Sequence, residues 1–225
     1  MIVASLPRWV GFGAFALASV AGMVNAVGFL AFGHQAITHL TGTTTLFGVA
    51  LAQGQTALAL DLLAFLGAFI TGAAVSGAIV ADSTLRLGRR YGVALMLESA
   101  LLLLAIPLLR SHSTIGICIA SAACGLQNAM ASTYSGAVLR TTHVSGILTD
   151  LGIMAGQRIR GLGHDSRRRN LYLLIVLGFA LGATIGGVGF ARLQETVLLL
   201  PAALTGAGGL AYAVYRHRVL RREAG

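Results

Sequence analysis

The chain repeats its own sequence. The segment Gly22-Met-Val-Asn-Ala26, followed by Thr38-His-Leu-Thr-Gly42, returns as Gly125-Leu-Gln-Asn-Ala129 followed by Thr142-His-Val-Ser-Gly146. Within the second motif every match falls 104 positions later in the chain. Duplicated halves in an apolar chain are typical of transporters and channels that are built from two repeats around a central site.

Nearly charge-free runs divide the chain. With 56% hydrophobic and 10% charged residues, the chain lacks the polar residues that would cover a soluble globule. Each run is long enough to cross about 30 Å of hydrocarbon as a helix. The runs are 9–32, 62–81, 91–109, 115–139, 171–191 and 196–215. They predict an all-α integral membrane protein with six transmembrane helices in one domain, residues 1–225, with repeat one at 9–110 and repeat two at 113–216.

The basic residues are all arginines, and they lie between the apolar runs. Their clusters at 86–90, 158–169 and 216–222 contribute to a net charge of +9. Because they do not share one face, they do not indicate a nucleic-acid partner. They instead mark the cytoplasmic side and attract anionic lipid of the bilayer, by about 1 kcal/mol each. We therefore expect both termini to be cytoplasmic.

Two short polar stretches decide the topology. Residues 43–55 and 147–157 are too short and too polar for a confident crossing. If both enter the membrane and return, every arginine cluster is cytoplasmic and the two three-helix repeats are inverted about an axis in the membrane plane. We expect each stretch to be a broken or re-entrant helix that starts at Thr43 or Ile147. The alternative is a plain short spanning helix or an interfacial loop, with threonine hydroxyls bonded to their own backbone.

Two such helix starts meeting at the midplane predict a site for anions or neutral hydrogen-bonding solutes. The alternative is that the histidines bond to carbonyl groups and that the asparagines pack between helices. The expected substrate-binding residues are Asn25, His39, Thr41, Thr43, Asn128, His143 and Ser145.

Acidic residues inside apolar segments are candidates for proton or cation coupling, because they are costly to hold in lipid. They are Glu98 and Asp150, although Asp150 has an alternative role as an ion-pair partner of Arg140. Cys118 and Cys124 face different directions on one helix, so we expect no disulfide. We expect no metal site and no cofactor.

Small residues form stripes on two of the apolar runs. One stripe contains Gly178, Gly182 and Gly186, and the other contains Ala68, Gly72 and Ser76. Such stripes are packing surfaces in membrane helices. We expect the two either to touch each other across the pseudo-axis or to form the contact of a homo-oligomer.

Nearly the whole chain resembles the YoaK family of uncharacterised bacterial inner-membrane proteins. The resemblance is carried by Ala21-Gly-Met-Val-Asn-Ala26 with His39-Leu-Thr-Gly42, and by Gly125-Leu-Gln-Asn-Ala129 with Arg140-Thr-Thr-His-Val-Ser-Gly146. It implies a six-helix protein of the inner membrane. Asn25 stands where this family usually has Asp.

Taken together, the repeats and their polar residues favour a small transporter that binds its solute between the repeats. A passive pore of aquaporin-like or formate-channel-like design, and a non-transporting membrane subunit or scaffold, are the alternatives. We expect no enzymatic activity, because no serine stands in the Gly-x-Ser-Gly motif of an intramembrane protease.

Overall fold

The computed structural model describes residues 9–31, 40–80, 90–135, 141–163 and 165–223, and these residues form helices without any strand. A short 3-10 turn, Gln194–Leu198, joins the last two helices. The helices are α1 (Trp9–Ala31), α2 (Leu40–Ala52), α3 (Thr56–Val80), α4 (Arg90–Arg110), α5 (Thr114–Ser135), α6 (Val144–Ile159), α7 (Ser166–Leu193) and α8 (Leu199–Glu223).

Several of these helices have the length and apolar character of membrane spans. Five segments qualify, and the last of them, Ser166–His217, covers 52 residues and includes both α7 and most of α8. The remaining four are Val10–Ala31, Thr56–Val80, Arg90–Arg110 and Thr114–Thr133. The chain is therefore an all-helical protein with the apolar helices of a multi-pass membrane protein.

The two short helices end in the same way. After α2, Gly54 has a φ of 69°, and after α6, Gly161 has a φ of 71°. At both sites the residue after the glycine donates its backbone N–H to a carbonyl five positions back, from Gln55 to Ala50 and from Leu162 to Gln157. This pattern is a Schellman motif, in which glycine supplies the left-handed conformation that turns the chain into the next helix.

The starts of the short helices differ from the expectation. The chain is already helical at Leu40, and α6 begins at Val144, so neither helix starts at Thr43 or Ile147. The hydroxyl groups of Thr44, Thr45 and Thr149 donate to carbonyl oxygens four residues back in their own helices. These threonines therefore satisfy their hydroxyl groups locally, as the alternative interpretation of the segments required.

Close glycine contacts join the two halves of the chain. Helix α1 packs along α7, and α3 packs along α5. In each pair, a glycine of either helix faces a backbone carbonyl oxygen so closely that a Cβ would overlap it. The four contacts are Gly22 with Phe179, Gly182 with Ser19, Gly125 with Phe69, and Gly72 with Ala122.

The small-residue stripes are thus packing surfaces, but their partners differ from those we expected. The stripe of α7 packs against α1 and the stripe of α3 packs against α5, rather than one stripe against the other. Gly178 faces Phe15 and Gly186 faces Met23, so α1 and α7 run parallel. Each helix of these pairs comes from a different repeat, which interlocks the two copies.

Helices α4 and α8 occupy equivalent places in the two repeats and pack against each other. The hydroxyl of Ser99 donates to the carbonyl oxygen of Ala202 at 2.7 Å. Farther along, a Cβ on Gly92 would lie 3.1 Å from the carbonyl oxygen of Gly209. The residue numbers rise along α4 while they fall along α8, so this pair of equivalent helices is antiparallel.

Candidate functional site

Helices α4 and α5 form a closed interface. A tight turn joins them, and a Cβ on Gly116 would lie 2.8 Å from the backbone nitrogen of Leu109. Leu102, Ile117 and Ala120 lie in the same buried core. The two helices therefore touch at the level of the backbone beside the turn that joins them.

A cavity of about 690 Å³ lies at the equivalent place in the other half of the molecule, between α1 and α8. Gly13 corresponds to Gly116 in the repeat and lines this cavity. No atom of the described chain lies within 4 Å of the position where a Cβ on Gly13 would stand. We call this space the α1–α8 cavity. Its lining also includes Leu17, Met23, Tyr91, Leu95, Met130, Ile175, Leu204, Gly208 and Tyr212.

The walls of the α1–α8 cavity are almost wholly apolar. Among the described residues that line it, none carries a charge. Ser19, Thr141 and Thr205 contribute aliphatic hydroxyl groups, and Tyr91 and Tyr212 contribute phenol side chains. Ser19 and Thr205 donate to carbonyl oxygens of their own helices at 2.9 and 3.0 Å. Their hydrogens are therefore engaged, and the oxygens remain available as acceptors.

A chain of buried polar groups runs from the cavity wall into the α4–α5 interface. The Thr141 hydroxyl donates to Gln127 Oε1 at 3.3 Å, and Gln127 Nε2 donates to Glu98 Oε1 at 2.9 Å. All three side chains are at most 2% exposed. Glu98 Oε2 has no hydrogen-bond partner within the described ranges. An ionised carboxylate is costly in such surroundings, so we take the Glu98 side chain to be a neutral acid.

The predicted asparagines lie on equivalent helices, away from the cavity lining. Asn25 is half-buried in α1 and takes part in polar interactions there. Asn128 is half-buried in α5, and its buried Oδ1 has no partner among the residues that the structure describes. The structure does not bring either of them to the α1–α8 cavity.

The predicted residues of the short helices are also dispersed. Thr41 is exposed and Thr43 is buried in α2, which packs against α3. His143 precedes α6 with an exposed side chain that makes no capping hydrogen bond, and Ser145 is exposed. His39 lies outside the described residues. None of the predicted substrate-binding residues that are described lines the α1–α8 cavity, and their role in binding stays a prediction.

Asp150 has a structural partner on the next helix. Its Oδ2 accepts from Arg168 Nη2 at 2.9 Å and from the Tyr172 hydroxyl at 2.9 Å. The Asp150 and Arg168 side chains are 36% and 42% exposed. The pair therefore ties α6 to α7 at a partly solvated position, where ion pairs contribute little. Arg140, the partner we considered from the sequence, lies outside the described residues.

Sequence reasoning missed Gln127 and the residues of the cavity wall. Gln127 lies beside Asn128, but only the asparagine recurs in both copies, because the position equivalent to Gln127 is Val24. The sequence shows that Gly13 and Gly116 occupy equivalent positions in the two repeats. It does not show that one faces a cavity and the other a closed helix interface.

Comparison with curated proteins and with solved structures gives no match to this chain. One protein family does match, and its profile extends over residues 13–211, which include α2 to α7, most of α1 and about half of α8. The chain therefore belongs to the DUF1275 family, a family of proteins of unknown function.

Proposed function

We propose that this protein is a small solute transporter of the bacterial inner membrane, built from two inverted three-helix repeats. The observation that carries the proposal is the contrast between two equivalent places. Helix α4 is closed on α5 at Gly116, whereas α8 stands away from α1 at Gly13 and leaves a cavity. In transporters of inverted repeats, one half moves against the other and such a cavity opens alternately to either side.

The helix directions support the inverted arrangement. Equivalent helices α4 and α8 pack antiparallel, as they must when a two-fold axis in the membrane plane relates them. The parallel course of α1 and α7 fits the same topology. In this proposal α1, α3, α4, α5, α7 and α8 cross the membrane, and α2 and α6 return to the side from which their segments enter.

The arginines indicate which side of the membrane the α1–α8 cavity faces. Tyr91 and Tyr212 line the α1–α8 cavity near Arg90 and Arg216, at the ends of α4 and α8. Arginine-rich ends face the cytoplasm under the positive-inside rule. With both termini cytoplasmic, we propose that the α1–α8 cavity opens toward the cytoplasm and that the turn between α4 and α5 lies on the outer side. The hydrogen bond between Glu98 and Gln127 then helps to hold α4 against α5 beside the cavity.

A transporter fits these contacts better than a passive pore does. A pore needs a continuous path, and the α4–α5 interface blocks one side with backbone contacts. The resemblance to the YoaK family agrees with a membrane protein of this design and leaves the solute open.

Reciprocal motion is the property that tests the proposal. Spin labels at Phe12 and Val214 would report the α1–α8 separation, and labels at Leu104 and Ile115 would report the α4–α5 separation. The side chains of these four residues are exposed on the helix surfaces, by 81% and 43% for the first pair and by 54% and 61% for the second, so labels would not disturb the core. Cys118 and Cys124 would first be replaced by alanine. We expect Gly116→Leu, which forces α4 from α5, to lengthen the Leu104–Ile115 distance and to shorten the Phe12–Val214 distance.

A second variant guards against a local packing defect. Gln127→Ala removes the hydrogen bond to Glu98 without adding bulk, and it should shift both distances in the same directions. If α4–α5 opens in either variant while the α1–α8 distance stays unchanged, the two places are not coupled. The protein would then be a scaffold or a pore rather than an alternating transporter.

A further inference from the structure

The size of the α1–α8 cavity suits an organic molecule. Its volume of about 690 Å³ lies within the range of about 300–1,000 Å³ that small-molecule sites occupy. The cavity is formed by helices of both repeats, with α1 and α4 from the first copy and α5, α7 and α8 from the second. A molecule held there would touch every helix that the proposed motion displaces.

The chemistry of the walls restricts the molecule further. Within the described lining, leucine, isoleucine, valine, methionine and alanine side chains dominate, and no charged side chain is present. A charged group would lose its hydration on entry and would find no opposite charge. This excludes the anions that the two helix starts first suggested, as well as organic cations.

The three aliphatic hydroxyl groups on the wall act as acceptors. The hydroxyl hydrogens of Ser19 and Thr205 are donated to their own helices, and that of Thr141 is donated to Gln127. Each oxygen keeps lone pairs that can accept a hydrogen bond. A hydrogen-bond donor on the bound molecule would therefore satisfy these three hydroxyl oxygens, whereas an acceptor would not.

On the basis of the proposed transport function, we infer that the α1–α8 cavity binds an uncharged, largely apolar molecule that carries a hydrogen-bond donor. The apolar body of the molecule lies against the leucine-rich walls. Its donor points to the hydroxyl oxygens of Ser19, Thr141 or Thr205.

A matched pair of fluorescent probes tests this inference. N-phenyl-1-naphthylamine is neutral, apolar and carries one N–H, whereas 1-anilinonaphthalene-8-sulfonate has the same rings and an added negative charge. Both would be titrated into the full-length protein in lipid nanodiscs, with the signal of empty nanodiscs subtracted. We expect saturable binding of the neutral probe and at least tenfold weaker binding of the sulfonate.

Glycine variants supply the controls. Gly13→Leu and Gly208→Leu each place a side chain in the cavity, and we expect each to weaken binding of the neutral probe at least tenfold. Gly77→Leu adds the same side chain on α3, outside the cavity lining and with no atom of the described chain within 4 Å of the Cβ position. This variant should bind like the parent. The double variant Ser19→Ala, Thr205→Val should bind the neutral probe several-fold more weakly.

Four results would overturn the inference. They are equal binding of the two probes, binding of the neutral probe that survives both cavity-filling variants, unchanged binding in the hydroxyl double variant, and a phospholipid that copurifies one to one and is lost in Gly13→Leu. The last result would assign the cavity to a bilayer lipid. The spin-label distances need no ligand, so reciprocal motion without probe binding would reject the ligand class and leave the proposed transport function intact.

Discussion

The α4–α5 interface and the α1–α8 cavity occupy equivalent places, yet one is closed and the other is open. On the closed side, Glu98 accepts a hydrogen bond from Gln127 and fills the space between the helices. The spacing that relates Gly72 to Gly182 relates Glu98 to Gly208, which lines the cavity. The two repeats thus share their backbone arrangement. They differ in side chains, because a glutamate stands on the closed side where a glycine stands on the open side.

The largest effect is expected where both halves are closely packed, at the helix crossings. Gly72→Ala and Gly182→Ala each place a methyl group against a backbone carbonyl oxygen of the partner helix. Because backbone cannot move aside as a flexible side chain can, we expect each change to lower the free energy of unfolding by about 3 kcal/mol. Thermal unfolding in detergent would measure the loss.

Equivalent glycines with open surroundings provide the control for that measurement. Gly77 and Gly187 lie on the same two helices, and no described atom is within 4 Å of either Cβ position. Their alanine variants should be neutral or slightly more stable, since alanine favours helix over glycine. A large loss at Gly72 with none at Gly182 would show that the two crossings are not equivalent.

A change in the free energy of unfolding of intermediate size should distinguish the α4–α5 interface from the α1–α8 cavity. Gly116→Ala pushes a methyl group against the backbone of Leu108 and Leu109, so we expect a loss of about 1–3 kcal/mol. Gly13→Ala points into the cavity and should be neutral or stabilising. Unfolding of the two purified variants under identical conditions is the measurement. Equal losses would mean that α1 and α8 close on each other in the membrane.

The smallest effect concerns the carboxyl group of the closed side. Glu98→Gln keeps the shape and an acceptor oxygen for Gln127, so it should change the unfolding free energy by less than about 1 kcal/mol if the acid is neutral. Gln127→Leu leaves the Glu98 oxygen without its donor and should cost about 1–3 kcal/mol. Comparison of the two melting curves decides the point. A loss in Glu98→Gln as large as that in Gln127→Leu would indicate a charged carboxylate.

The sequence predicts the helices and the packing role of their glycines, but not which helices meet. A stripe such as Gly178, Gly182 and Gly186 shows that one face must approach another backbone closely. It carries no information on the partner, because the same stripe fits any helix of suitable direction. The pairing of α1 with α7 became clear only from the three-dimensional contacts.

The cavity was hidden from sequence reasoning for a different reason. The cavity forms where side chains are small or absent, as at Gly13 and Gly208. A glycine in the sequence does not show whether the space beside it is filled by a neighbouring helix or left empty. The duplication also favoured residues that recur in both copies, such as Asn25 and Asn128, as the predicted substrate-binding residues. The groups that distinguish the two sides, Glu98 and Gln127, are those that the repeats do not share.

The pairing of α1 with α7 also sets the order of events during synthesis. Helix α1 leaves the ribosome early, but the glycine face of α7 follows only after more than a hundred further residues have been made. At roughly 5–20 residues per second, α1 waits for about 7 to 30 seconds with its packing face turned to lipid or to the insertion machinery. Neither copy of the duplication can complete its packing alone, so a chain that stops before α7 leaves α1 without its partner helix.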